Sequence, residues 1–151
     1  MTPQVFVVDT NVVVAGLLTR ATDSPVVRIL DAMLSGELVY LLSPELLAEY
    51  QTVLMRPKLA KRHHLSQNEV DAVLAELAAN AMWREPDDGA TAAPDAGDDH
   101  LWTLLETYRG SILITGDMVL REKPPAHHSV ISPRSWAQDI SGQPDEHDDP
   151  A

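Results

Sequence analysis

Two kinds of hydrophobic pattern alternate along the chain. Short runs that are apolar on both faces predict buried strands, and they are VFVV (5–8), ELVYLLS (37–43), SILIT (111–115) and HSVIS (128–132). Longer segments with helical spacing of apolar residues predict helices, and they are SPVVRILDAMLSG (24–36), PELLAEYQTVLMRP (44–57), SQNEVDAVLAELAANAMW (66–83), DDHLWTLLETY (98–108) and the short DMVLRE (117–122). Strands buried on both faces and separated by helices are typical of a mainly parallel sheet covered on both sides, so the pattern predicts an α/β fold.

Length and composition indicate one domain. A chain of 151 residues with 44% hydrophobic content can bury one core and is short for two. We place the domain at residues 1–140, because the final segment SGQPDEHDDPA (141–151) has too little apolar content to order itself and is expected to be a disordered acidic tail. The segment PDDGATAAPDAG (86–97) is rich in Pro, Gly and Asp and predicts a loop.

The compartment is expected to be the cytoplasm. The chain has no cysteine, so neither a disulfide framework nor a thiolate metal site is available. The first residues lack a basic leader, and no apolar run approaches the roughly 20 residues that span a membrane. We therefore expect no membrane contact.

The net charge of −12 argues at first against a nucleic-acid partner. Many of the acids, however, are concentrated in the tail and between Glu85 and Asp99. One basic cluster remains in RPKLAKRHH (56–64), and its cations are Arg56, Lys58, Lys61 and Arg62. This cluster is either a solvated helix end or a surface that faces RNA phosphates, and the sequence supports both interpretations equally.

Acidic residues stand at the ends of two predicted strands. Asp9 follows VFVV directly, and Asp117 follows SILIT after a glycine. In open parallel sheets the functional crevice lies beyond the carboxyl ends of the strands, so both acids are expected at that edge.

Two predicted helices can add acids to the same edge. Each residue turns about 100° around a helix axis, which places Glu49 at the border of its apolar stripe and Glu45 well outside it. In the helix at 98–108, Asp98 projects within the apolar stripe while Asp99 points away. The sequence nevertheless leaves open whether Asp98 or Asp99 is the acid that this helix contributes to the edge.

Four carboxylates at one edge would repel one another unless a cation neutralises them. Oxygen ligands without Cys or an organised His set suit Mg²⁺ or Mn²⁺, and the sequence leaves open whether one or two ions bind. The natural chemistry is metal-assisted hydrolysis of a phosphodiester. Asn11 and Thr115 are predicted to support the acids by hydrogen bonds. The histidine pairs His63/His64 and His127/His128 are expected at the surface.

Each acid also has a structural explanation. Asp9 can be a helix N-cap or an Asx-turn residue, Asp98 a helix N-cap, and Asp117 a turn residue. Glu49 can be a solvated helix residue. The functional hypothesis therefore rests on the convergence of the four side chains.

The motifs VVDTNV, SPELLAEYQTVLMRPKL, DAGDDHLWTLL, ILITGDMVL and VISPRSW together resemble those of PIN-domain ribonucleases, and in particular the bacterial PIN-family toxins of type II toxin-antitoxin systems. The resemblance spans about Val5 to Ile140. It implies a three-layer α/β/α fold, Mg²⁺ or Mn²⁺ dependence, cleavage of single-stranded RNA, frequent homodimers and inhibition by a cognate antitoxin. The acid positions of that group correspond here to Asp9, Glu49, Asp98 and Asp117.

The chain departs from this group at the third acid, where DAGDD lacks the usual proline, and in GATAAP (89–94), which replaces a short apolar strand. Two other functions are compatible with an acidic α/β domain. A phosphoacceptor domain of the receiver type needs a lysine at the end of a late strand, and neither SILITGD nor HSVIS supplies one. A catalytically silent PIN fold that binds RNA or an antitoxin remains the alternative.

Overall fold

The computed structural model describes residues 3–86 and 93–146, with the side chains of the last helix described as far as Asp139. In chain order the described elements are β1 (Val5–Val8), α1 (Thr10–Leu18), α2 (Pro25–Ser35), β2 (Val39–Leu42), α3 (Pro44–Leu54), α4 (Pro57–His63), α5 (Gln67–Asn80), β3 (Met82–Trp83), a 3₁₀ turn (Ala96–Asp98), α6 (Asp99–Glu106), β4 (Ile112–Ile114), α7 (Met118–Glu122), β5 (Ser129–Ile131) and α8 (Pro133–Glu146).

The described strands form one parallel sheet in the order β3-β2-β1-β4-β5. Strand β1 lies at the centre, with Val5 opposite Val39 of β2 and Val8 opposite Ile114 of β4. The chain builds outward from β1 to β3 and then returns to the other side of β1 with β4. The order therefore reverses beside β1, which is where α/β sheets place their ligand crevice. The predicted three-layer α/β/α fold is confirmed.

The core explains why the strand segments are apolar on both faces. Val7, Leu41 and Leu113, from three adjacent strands, have no exposed surface. Tyr50 of α3 is also fully buried, and its hydroxyl donates to the carbonyl oxygen of Val8 at the end of β1. Because a buried hydroxyl without a partner would be costly, this bond fixes α3 against the carboxyl edge of the sheet.

Helix ends follow the capping signals of the sequence. Ser66 accepts from the backbone N–H of Glu69, whose side chain accepts from the backbone of Ser66, so the predicted capping box is present. Helix α2 ends at Gly36, whose φ of 85° lies in the left-handed region that favours glycine. Ser43 is the N-cap of α3, and its hydroxyl oxygen accepts from the backbone N–H of Leu46 at 3.1 Å.

One predicted helix was too long. Met82 and Trp83 were expected at the end of the helix at 66–83, but they form β3 and pair with Leu41 and Leu42 of β2. The helix ends at Asn80, whose side-chain amide donates to carbonyl oxygens at the end of α2. Two apolar residues after a helix carry too little periodicity to distinguish the two states, so strand pairing decided it.

Helices α1, α4 and α8 were not predicted. In α1, buried β-branched residues hide the helical spacing, since valine runs are equally typical of strands. Helix α8 extends to Glu146, six residues beyond the expected domain end at 140 and into the segment expected to be disordered. Helical backbone propagates readily from a packed first turn, and Trp136 and Ala137 provide that packing. Residues 147–151 of the expected tail lie outside the described residues, as do 87–92 of the expected loop.

Within the described parts of the chain, no helix has both the length and the apolar content to cross a membrane.

Candidate active site at the carboxyl edge of the sheet

Asp9 is the buried centre of the site. It follows β1 directly, its backbone N–H donates to Ile114 of β4 at 3.0 Å, and the residue is 6% exposed. Its carboxylate accepts from the Thr115 hydroxyl at 2.7 Å, the Thr10 backbone N–H at 2.8 Å and the Asn11 amide at 3.1 Å. These bonds join the ends of two neighbouring strands through one carboxylate. Asp9 is also the N-cap of α1, so its structural role as a helix cap is compatible with the hypothesis that it is a site acid.

Asn11 and Thr115 clamp the turn that carries Asp117. The Asn11 side-chain oxygen accepts from the Gly116 backbone N–H at 3.0 Å, and the Thr115 hydroxyl oxygen accepts from the Asp117 backbone N–H at 3.0 Å. A side chain at Gly116 would place its Cβ 3.3 Å from that same Asn11 oxygen, so the turn is closely packed. Both predicted supporting residues therefore contact Asp9 and the backbone before Asp117.

Asp117 is half-buried and serves as the N-cap of α7. One of its oxygens, Oδ1, accepts from the backbone N–H groups of Val119 at 2.9 Å and Leu120 at 3.4 Å. The capping bonds fix the carboxylate with respect to the sheet edge. The second oxygen, Oδ2, takes no part in the cap.

Glu49 approaches the site from α3. Its Oε1 accepts from the Thr10 hydroxyl at 2.5 Å, and Thr10 is the residue that follows Asp9. The neighbouring Tyr50 anchors this turn of α3 to β1. Glu45, one turn earlier, is exposed, as the helical spacing predicted.

His100 is a site residue that the sequence interpretation missed. Its Nε2 lies 3.6 Å from Oε1 of Glu49, and its side chain is only 9% exposed. Its Nδ1 is buried without a hydrogen-bond partner among the described residues. An unsatisfied buried polar atom costs roughly 1–3 kcal/mol, so it calls for an explanation. The available signal was its position two residues after Asp98, next to an apolar stripe that buries that side of α6.

The structure separates Asp98 from Asp99. Asp98 occupies the N-cap position of α6 but makes no capping bond with its side chain. Asp99 instead accepts from the backbone N–H of Ala93 at 2.7 Å, so its carboxylate holds the loop that precedes the helix. Asp98 is therefore the better candidate for the third acid.

The pKa of Asp98 is raised by burial and by the acids around it. Burial, followed by the negative charges of Asp9, Asp95, Asp117 and Glu49, raises its pKa to about 6. Three of those four charges belong to the predicted quartet. Asp95, the fourth, starts the 3₁₀ turn and accepts from the Gly97 backbone N–H at 3.0 Å.

The pKa of Asp9 is also raised from its ordinary value, chiefly by burial, even though hydrogen bonds from Thr115 and Thr10 oppose the shift. The charge of Glu49 raises it further, and His100 lowers it. Both carboxylates would therefore gain from a nearby cation, because a positive charge favours the ionised forms.

The donor set suits a hard divalent cation, although it does not form a complete ligand shell. Among residues 3–86 and 93–139, no group of three or more His, Asp or Glu side chains is arranged to hold a metal ion by itself. Mg²⁺ is usually held by one or two carboxylates and completes its octahedron with waters and substrate phosphates. The Asp98 carboxylate makes no capping bond, so it and its acidic neighbours fit that mode of binding.

The basic cluster lies apart from these contacts. Arg56 precedes α4, the other three cations lie on it, and all four side chains are exposed. Within the described residues, none of them forms an ion pair with a carboxylate. No hydrogen bond connects them to the acids in that part of the chain.

One prediction about the histidines was wrong. His63, expected at the surface, is 8% exposed at the end of α4. Its Nε2 lies 2.9 Å from the carbonyl oxygen of Leu54, and its Nδ1 accepts from the Leu65 backbone N–H at 2.9 Å. The contact with Leu54 joins the end of α4 to the end of α3, and the bond from Leu65 closes the turn after α4. The adjacent residue His64 is exposed in a left-handed conformation with φ 56°. Helical spacing turned one histidine of the pair inward.

Comparison with protein families agrees with this geometry. The family model described as PIN domain matches residues 5–118, a range that includes all four candidate acids. The chain therefore belongs to the PIN domain family, whose members are generally nucleases, hydrolases of phosphodiester bonds. The comparison with curated proteins found no significant match, and neither did the comparison with solved structures.

Proposed function

We propose that this protein is a metal-dependent endoribonuclease that hydrolyses single-stranded RNA. The main support is the position of the acids at one edge of the sheet, where Glu49 is bonded to Thr10 beside Asp9. Burial, followed by the charges of Asp9, Asp95, Asp117 and Glu49, raises the pKa of Asp98 to about 6, which agrees with that arrangement. Such a cluster favours binding of Mg²⁺ or Mn²⁺, as one or two ions. A bound ion would supply Lewis acidity toward the phosphate and lower the pKa of a bound water.

The residues of the chain have distinct parts in this proposal. Asp9, Glu49, Asp98 and Asp117 are the proposed catalytic acids, and they would hold the metal with one or two carboxylates to each ion, together with waters and the RNA phosphate. Asn11 and Thr115 act as positioning residues, because they fix Asp9 and the turn before Asp117.

The basic cluster is proposed to contact the RNA backbone. Arg56, Lys58, Lys61 and Arg62 are exposed and unpaired with acids in the described chain, so they are available to phosphates.

Biologically, we propose that the protein is the toxin of a toxin-antitoxin pair, a homodimer inhibited by a cognate antitoxin. The support is the resemblance of its motifs to those toxins. The alternative is a PIN fold that binds RNA or an antitoxin without turnover. Measuring RNA cleavage distinguishes the two functions, because only the nuclease cleaves RNA.

The decisive experiment measures cleavage of defined single-stranded RNAs with Mg²⁺, Mn²⁺ or EDTA. The Asp9→Asn variant should lose on the order of 10³-fold in rate, because a metal ligand contributes several kcal/mol to the transition state. Asp71→Asn, an exposed acid on α5, is the matched control and should cleave normally. RNA binding without metal-dependent cleavage in the native protein would favour the silent alternative.

A further inference from the structure

Beside the acids, the same edge of the sheet holds a cavity of about 540 Å³ that the proposed chemistry does not use. It lies beyond the carboxyl ends of β2 and β3, and its walls include Ser43, Glu45, Glu85, Ala96, Asp99 and His100. The volume falls within the range of roughly 300–1,000 Å³ found for small-ligand sites.

His100 joins this cavity to the acids. The ring lines the cavity, while its Nε2 lies 3.6 Å from Oε1 of Glu49. The side chain is more than nine-tenths buried, yet its Nδ1 has no hydrogen-bond partner among the described residues. His100 therefore forms a wall that the cavity shares with the acids.

The chemistry of the walls restricts the occupant. Glu45 and Glu85 offer carboxylate oxygens, which accept hydrogen bonds and repel phosphates. Ser43 accepts from Leu46 through its oxygen, which leaves its hydroxyl proton available to donate. The cavity therefore suits a neutral group that carries donors and acceptors along one edge, as a nucleobase does. A guanidinium or ammonium group offers donors alone and would leave the Ser43 proton without an acceptor.

We propose that this cavity binds a nucleobase with an exocyclic amino group, from a nucleotide next to the phosphate at the acid site. This inference rests on the proposed ribonuclease function and extends it to base preference. Carboxylates accept from the amino groups of such bases, whereas uracil presents only carbonyl oxygens at the corresponding position. Single-stranded RNA is commonly recognised in this way, since its bases can be splayed out and bound by their edges.

The test separates base binding from cleavage. Full-length Asp9→Asn protein is titrated with single-stranded oligouridine and with the same oligomer carrying one central cytidine or adenosine, by fluorescence anisotropy in EDTA. We expect the amino-bearing base to tighten binding at least fivefold. Equal affinity for all three RNAs would overturn the proposal.

Two further variants, each made in the Asp9→Asn protein, locate the preference. Ala96→Trp fills the cavity and should abolish the difference between the RNAs. Ala126→Trp, in the smaller cavity at the opposite edge of the sheet, is the matched control and should keep it. The double variant Glu45→Gln, Glu85→Gln should reduce the difference in affinity between oligouridine and the RNAs with an amino-bearing base. If the Ala96→Trp variant has an unchanged melting temperature and still prefers the amino-bearing bases, the assignment of the cavity is refuted.

The remaining outcomes distinguish the two proposals. Native protein that cleaves RNA while the Asp9→Asn variant shows no base preference refutes the cavity proposal and leaves the nuclease intact. Base preference without any metal-dependent cleavage refutes the nuclease and retains the cavity. An arginine-containing peptide that binds and is blocked by Ala96→Trp, while base identity has no effect, assigns the cavity to a protein partner and overturns the proposal.

Discussion

The two halves of the candidate site are built differently. On the β1–β4 side, Asp9 is buried and receives three hydrogen bonds, and the turn before Asp117 is clamped by Asn11 and Thr115. On the α3–α6 side, Glu49 has one short bond to Thr10 and a longer approach to His100, while Asp98 makes no capping bond. The first half is organised by the fold before any ligand binds.

This difference follows from where the chain can form hydrogen bonds. Asp9 and Thr115 follow adjacent strands whose ladder fixes their spacing, so short side chains can reach each other. Glu49 lies on α3 and Asp98 at the start of α6, and within the described residues no hydrogen bond joins their side chains. We therefore expect the second half to depend on a cation for its final geometry.

Among the variants that compare the two halves, the substitution of Asp98 should have the largest effect on cleavage. Asp98→Asn should lower metal-dependent cleavage about 100-fold or more, because it removes a metal ligand worth several kcal/mol. Asp99→Asn is the matched control one residue away and should stay within a few-fold of the native rate, since an Asn oxygen can still accept from Ala93. The measurement is kcat/KM for a defined RNA. Equal losses in both variants would contradict the assignment of Asp98 as the third acid.

Thr115 tests the organised half. Thr115→Val keeps the shape but removes the hydroxyl that donates to Asp9 and accepts from Asp117, and cleavage should fall about 10- to 100-fold. The free energy of unfolding should also fall by roughly 1–3 kcal/mol, because buried partners are left unpaired. Thr115→Ser restores the hydroxyl and should recover most of the activity. If Ser is as impaired as Val, the hydrogen bonds are not the cause.

The pH dependence of stability tests the charge of the second half. The folded protein holds the Asp98 proton with a pKa of about 6 against an ordinary value of 3.8. The folded state thus binds more protons between these values, so stability falls as pH rises through that window. Urea unfolding in metal-free buffer should show a smaller fall for Asp98→Asn than for the native protein between pH 4 and 7. Parallel pH profiles of the two proteins would argue that the pKa of Asp98 is not raised in the folded state.

The smallest effect is expected at α4, which lies outside both halves. Replacing Lys58, Lys61 and Arg62 with Gln should weaken RNA binding several-fold and reduce the slope of log K against log salt by up to about 2, since each contact with single strands contributes roughly 0.7. The control replaces three exposed cations elsewhere, Arg20, Lys123 and Arg134. An equal change of slope in both triple variants would show a general charge effect rather than a binding surface.

The sequence predicted most of the strands and helices, with the exceptions of α1, α4, α8 and β3, and it named the candidate acids. The predicted α/β fold was confirmed because strands apolar on both faces, separated by helices, leave few other ways to bury their surface. Helical spacing placed Glu49 inward and Glu45 outward, as the structure has them. These properties depend on neighbours along the chain, which a sequence displays directly.

Tertiary structure alone decided the contacts between distant segments. Pairing with β2 placed Met82 and Trp83 in a strand, and a contact with Leu54 buried His63. The Asp99 carboxylate bonds to the loop before α6, and His100 lies beside Glu49. Tertiary structure also joined Asp9 to Thr115 across more than a hundred residues. Each of these outcomes depends on the partner that folding supplies, because hydrogen bonding and burial are set by proximity in space rather than by residue type.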